Sequence, residues 1–260
     1  MPSPHLYQRP EIYAALRAPE PSLVAAAERL LHTTLFALPT SVFDPACGPG
    51  TWLLHFARAG ARVAGSDVSP EMVAAARHRL AAYGAEIVPG DMRAIEFATR
   101  PFDAGMEVSG GISEMPDDRS LVLLLRAAGR NLRPGGAFLM VVSCVEPHDP
   151  NLSLYDGSIG PVEIGPGASG AVEYRVERHD RSARAITMRR EVSLSGSTEH
   201  SGFVDRYALH TCSAAEFLRV LDAAEAFELV AAELVETGTA LDPTSAWRNG
   251  EVLLALRRRS

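Results

Sequence analysis

The chain has 260 residues, 47% of them hydrophobic and 22% charged, with a formal net charge of −7. That composition excludes a disordered chain and suits one globular domain with room for an insertion. All 25 basic side chains are arginines, which excludes a Schiff-base lysine, a P-loop lysine and a lysine general base; the one dense basic run, Arg257-Arg258-Arg259, is too short to suggest a nucleic-acid face.

The first twenty residues, with Pro2, Pro4, Tyr7, Pro10, Tyr13 and Pro19, read as an irregular arm (1–21) rather than a helix. From Ser22, read as an N-cap, to about Phe36 an Ala/Leu-rich stretch has an apolar face at Leu23, Ala27, Leu30, Leu31 and Leu35. Apolar runs at 41–45, 62–67, 85–89, 102–108 and 136–145 then read as strands covered on both faces, alternating with helices at 50–59, 70–83 and 117–131. Gly60, Gly84 and Gly135-Gly136 stand where left-handed helix caps are expected.

After Cys144 the rhythm changes. Residues 146–171 look like loop, 172–178 and 185–194 alternate as an antiparallel pair, and 202–210 can add a third strand. A helix at 213–225 and strands at 227–236 and 249–257 follow. The expected architecture is α/β: a Rossmann-like doubly wound sheet, mostly parallel with an antiparallel last strand, plus an antiparallel β insertion at 146–206 within a domain of residues 22–260. Cys47, Cys144 and Cys212 are too far apart for a paired metal or redox motif. No secretion signal or apolar run near 18 residues is evident, so the expectation is a cytoplasmic protein without membrane contact.

The sharpest local signal is Ser41-Val-Phe-Asp-Pro-Ala-Cys-Gly-Pro-Gly-Thr51, a strand that ends in Asp44 and turns through Gly48 and Gly50 into a helix. In an open α/β sheet that turn is where ligands sit. Leu53 stands where a dinucleotide fingerprint needs its third glycine, and Asp44 would repel a pyrophosphate but not a cation. Asp67 ends the second strand, spaced to accept hydrogen bonds from a ribose diol. Gly90-Asp91-Met92 closes the third, and Leu132-Arg-Pro-Gly-Gly136 precedes the fifth.

With these motifs the chain resembles the class I S-adenosylmethionine-dependent methyltransferases over roughly residues 20–258. The resemblance implies S-adenosyl-L-methionine as cofactor. Its methionine portion would lie on Asp44 and the turn of Ala46, Cys47, Gly48 and Gly50; Ala46 replaces the family's usual glycine. Asp67 would take the ribose hydroxyls, Val68 and Met72 would pack on the adenine, and Gly90, Asp91 and Met92 would border it. Glu107, Tyr7, Tyr13 and Arg17 are also placed at the cofactor, the two tyrosines as lids or as packing residues.

The Asp-Pro-Ala-Cys-Gly string also resembles adenine-specific DNA methylases. Their Pro-Pro-aromatic motif is missing from Met106–Met115, which together with the acidity disfavours nucleic acid. That stretch is instead similar to the small-molecule group of amino-sugar and glycine N-methyltransferases, in which an arm and a late insertion cover the site. The implied partner is a small amine or hydroxyl acceptor, and the protein a monomer or homodimer. Glu114 replaces that group's histidine; it would hold or deprotonate an ammonium, or else be an exposed loop residue. Tyr207 matches a pocket tyrosine of the group. His210 is either structural or a base, and His148 is a further base candidate. Two alternatives stay open: aminocarboxypropyl transfer or cyclisation of the same cofactor, and a non-catalytic cofactor-binding module. No metal-ligand cluster is evident.

Overall fold

Val42 and Phe43 belong to a strand with no polar alternation because helices cover both of its faces. In the computed structural model, which describes residues 5–146, 151–196, 202–242, 247 and 249–260, five strands run parallel. They are β1 (Ser41–Asp44), β2 (Arg62–Asp67), β3 (Glu86–Pro89), β4 (Phe102–Glu107) and β5 (Leu132–Cys144). Three more extend the sheet: β10 (Phe227–Leu234), β11 (Ala240–Leu241) and β12 (Gly250–Arg258). The order is β11-β10-β12-β5-β4-β1-β2-β3, with β12 antiparallel to both of its neighbours.

One face packs on α2 (Pro21–Leu35), α3 (Thr51–Arg58) and α4 (Pro70–Arg79) through Leu30, Leu31, Leu53, Phe56 and Val73. The other packs on α5 (Asp118–Asn131) and α6 (Ala214–Ala224) through Leu121, Leu124, Leu125, Phe217 and Leu221. Strand residues alternate between these two cores: Phe138, Met140 and Val142 face one, Leu139 and Val141 the other. At the centre Phe43 lies 5.4 Å from Phe102 and 5.7 Å from Phe97, ring centre to ring centre.

Between β5 and α6 the chain builds a second, four-stranded antiparallel sheet from β6 (Gly157–Gly165), β7 (Ala168–Asp180), β8 (Ala185–Ser195) and β9 (Phe203–His210). Residues 146–171 are therefore not simply loop: Ser153–Tyr155 form a 3-10 turn, and β6 occupies the stretch rich in glycine and proline. β6 is an edge strand, where Pro161 removes no interior ladder bond. The third strand expected at 202–210 is β9, which carries the sheet past the insertion's expected boundary at 206.

The arm differs from expectation as well. His5–Gln8 make a 3-10 turn, and Pro10–Leu16 form a helix, α1, which Pro10 can open because the first helical N–H has no partner to lose. Leu6, Ile12, Tyr13 and Leu16 bury themselves against Val172 and Val192 of the second sheet, and this packing stabilises a helix too short to stand alone. Helix α2 begins on Pro21 with Glu20, not Ser22, as N-cap. Gly135 and Gly136 lie inside β5 rather than capping a helix; α5 ends on Leu132 in extended conformation.

Candidate active site

Strand order reverses between β1 and β4, and the crevice beyond the carboxyl ends there is the expected ligand position of an open α/β sheet. A cavity of about 340 Å³ opens at that point. The chain leaves β1 at Asp44, whose Oδ1 accepts from the Ala46 N–H at 2.9 Å, and enters α3 through Gly48 (φ 51°) and Gly50 (φ 80°). Both glycines adopt left-handed backbone, which a side chain would strain. Asp67 closes the turn from β2, accepting from Gly48 N–H at 2.9 Å and Ser69 N–H at 2.8 Å.

Acid groups converge on this cavity. Glu107, 1% exposed, accepts backbone N–H bonds from Ser109, Gly111 and Ile112 at 3.1–3.2 Å, yet burial still pushes its carboxyl up to about 7. Burial raises Asp44 well above the carboxylate range, and the neighbouring Glu107 adds to the effect. Asp67 and Glu114 are raised too, again chiefly by burial. Asp91 is the exception, held low by its hydrogen bonds from Arg93. Val68 projects an apolar side chain, 75% exposed, into the same cavity. The site therefore offers several carboxyls and an uncovered apolar wall, with Arg93 paired to Asp91 and with Arg190 and Arg17 acting on Glu114.

A second cavity, about 900 Å³, lies between the main sheet's edge and the four-stranded sheet. Of the chain's six tyrosines, Tyr7, Tyr13, Tyr155, Tyr174 and Tyr207 line it, so aromatic surface is concentrated where a bulky polar guest would stack. The two cavities share Tyr7, Tyr13, Ser109 and Glu114. Glu114 stands at this junction with the Tyr7 hydroxyl donating to its Oε1.

The sequence candidates sort as follows. Ala46, Gly48, Asp67, Val68, Met72, Gly90, Asp91, Met92 and Glu107 line the smaller cavity, joined by Tyr7, Tyr13 and Glu114. Asp44, Cys47 and Gly50 sit behind that wall; Gly50 makes room for Leu80 and Ala76, where a Cβ would approach to 3.1 and 3.3 Å. Arg17 and Tyr207 line the larger cavity instead, Arg17 donating to Ser109 O at 2.8 Å. Glu114 is not an exposed loop residue. His210 lines neither cavity: it lies three residues from Tyr207 and so on the opposite face of β9, with Nε2 2.9 Å from Asp118 Oδ1. His148 lies outside the described residues.

The sequence reading did not single out Tyr174, Arg190 or Asp205. Tyr174 and Arg190 are direct cross-strand partners in β7 and β8, as are Arg190 and Asp205 in β8 and β9. Their one advance signal was a concentration of tyrosines in the arm and the insertion.

Residues 42–136, the stretch holding the glycine turn and the strand-end acids, match the family model described as a methyltransferase domain. The fold around this stretch is the Rossmann-like methyltransferase fold. Over 92% of both chains, this methyltransferase fold superimposes on CalS10, an amino pentose methyltransferase from Micromonospora echinaspora, with a TM-score of 0.69 at 22% identity. The sugar N-methyltransferase KedS8 from Streptoalloteichus also gives 0.69, at 23% identity, covering 98% of this chain and 92% of that one. In sequence, an uncharacterized protein of Mycobacterium tuberculosis is 30% identical over 149 residues, 54% of each chain. The dTDP-3-amino-3,4,6-trideoxy-alpha-D-glucopyranose N,N-dimethyltransferase of Streptomyces venezuelae is 31% identical over 101 residues, 39% of this chain and 41% of that one. The chain thus spans about half the length, or less, of these curated relatives. Among the described residues, no helix is long and apolar enough to cross a membrane.

Proposed function

We propose that the protein is an S-adenosylmethionine-dependent methyltransferase acting on the nitrogen of a small amine, with an amino sugar as the leading acceptor class. The observation that carries this reading is the junction: a small acid-walled cavity and a large tyrosine-lined one meet at Glu114. Similarity to enzymes described as amino-sugar methyltransferases supports the acceptor class.

The residues present fit the cofactor. It carries positive charge on sulfur and nitrogen, and the burial-raised carboxyls Asp44, Glu107 and Glu114 suit such a guest. Asp67 would hold the ribose hydroxyls, Val68 and Met72 the adenine faces, and Asp91 and Met92 its edge. The turn through Ala46, Cys47, Gly48 and Gly50 would hold the methionine end. When bound, the cofactor supplies a methyl group on a good leaving group. The protein then has to align the acceptor, exclude water and receive a proton. Alignment alone supplies on the order of 7–11 kcal/mol in well-oriented systems. Glu114 would face the acceptor nitrogen and take its proton, a task worth about 10²–10⁴-fold. Tyr7 and Tyr13 would close the passage to solvent, and Tyr174 and Tyr207 would stack on the acceptor's ring.

The test is to incubate the protein with S-adenosylmethionine and a panel of amino sugars, free and nucleotide-linked, beside their hydroxyl counterparts. Mass spectrometry should find S-adenosylhomocysteine and an N-methylated amine. Methylthioadenosine in its place, or no turnover and no cofactor binding, would overturn the assignment.

A further inference from the structure

Arg190 on β8 and Asp205 on the edge strand β9 form a buried ion pair at 2.9 Å, each side chain 5% exposed. Such pairs are poor stabilisers, because desolvating two charges costs about what their attraction returns, and apolar residues of similar volume often hold a fold as well or better. The Arg190 Nε–H is moreover buried without a partner, a further cost. A pair kept on these terms calls for a role other than stability.

Its contacts indicate the role. Asp205 Oδ2 accepts from Arg190 Nη2 and, at 3.2 Å, from the backbone N–H of Leu6 in the arm. The Arg190 guanidinium lies 5.2 Å from the Tyr7 ring centre and 5.0 Å from that of Tyr207, between an arm ring and a sheet ring. Tyr7 is then fixed at both of its polar ends: its carbonyl accepts from Ser69 Oγ at 3.2 Å, beside the smaller cavity, and its hydroxyl donates to Glu114. A continuous run of contacts thus leads from the second sheet through two arm residues to the carboxyl at the cavity junction.

We propose that Arg190 and Asp205 are positioning residues: the pair pins Leu6 and Tyr7, and through the Tyr7 hydroxyl it sets the direction of Glu114. This rests on the reading of Glu114 as the group that meets the acceptor. The pair never touches the reacting atoms; it holds the arm as the shared wall of both cavities, so the junction is assembled before a ligand arrives.

A double-mutant cycle tests this. Asp205→Asn should raise amide exchange across residues 6–13 at least tenfold and weaken S-adenosylhomocysteine binding several-fold, while exchange in β8 stays as in wild type. Tyr7→Phe should weaken the same binding, and the double variant should lose no more than the worse single, because both act along one path. Additive losses, or arm exchange unchanged by Asp205→Asn, would overturn the proposal. Should Asp205→Asn not fold, Arg190→Met with Asp205→Leu keeps an apolar filling, and the same release of the arm is expected in a stable sheet; a protected arm would again overturn it. The exchange arm needs no cofactor. Wild type that fails to bind S-adenosylhomocysteine therefore sinks the functional reading, whereas a wild-type-like arm in the variants sinks only this inference.

Discussion

Glu107 shows how single side chains of this site combine stability and function. Burial at the end of β4 raises its carboxyl from the ordinary 4.5 to about 7 despite three backbone N–H donors. The folded state therefore binds this proton more tightly than the unfolded chain does. The associated stability is full below pH about 4.5 and is lost as the pH rises through about 7. Denaturant titrations at pH 5 and pH 8 should show Glu107→Gln removing up to about 3 kcal/mol of the wild-type difference; an unchanged difference would refute it. Asp67→Ala removes the acceptor of Gly48 and Ser69 as well as the proposed ribose partner. Calorimetry should find S-adenosylhomocysteine binding weaker by about 10–100-fold, the worth of a charged hydrogen bond. At Gly105 a Cβ would fall 2.3 Å from Phe43 Cζ. Gly105→Ala should thus destabilise by about 1–3 kcal/mol through overpacking of the aromatic core, read from the denaturation midpoint.

Among the elements, the helix expected at 213–225 is α6, and a local cap fixes its start. Ser213 caps α6 by accepting from Glu216 N–H while the Glu216 carboxylate accepts from Ser213 N–H. Ser213→Ala should cost about 1 kcal/mol in chemical denaturation. The strand-end acids were legible for a related reason: each follows its own apolar run, so position in sequence and position at the crevice coincide. Arm helix α1 and edge strand β6 were not legible, because tertiary packing outweighs their proline and glycine. Arg190 and Asp205 were hidden differently. Their meeting depends on the register of β8 against β9, with no signature in either strand alone. The period of two also separates Tyr207 from His210, two residues that a linear reading had grouped at one site.

For the whole molecule, the rhythm of the first 145 residues accounts for the main sheet, and the part that breaks the rhythm builds the second one. The main sheet brings carboxyls to a crevice, whereas residues of the second sheet and the arm line the larger cavity beside it. β12 carries a different consequence. It is wedged antiparallel between β5 and β10, so its ladder closes the long loop from Cys144 to Gly250. Until that strand arrives, β5 and β10 have no shared partner, and each exposes an edge able to recruit another chain. During synthesis the sheet therefore cannot be completed from its earlier strands alone, and a loop of this length makes the last pairing slow. An arrest-peptide force profile should show its main folding event only after residues 250–258 leave the ribosomal tunnel. A chain stopped before Gly250 would be a task for chaperones rather than a smaller enzyme.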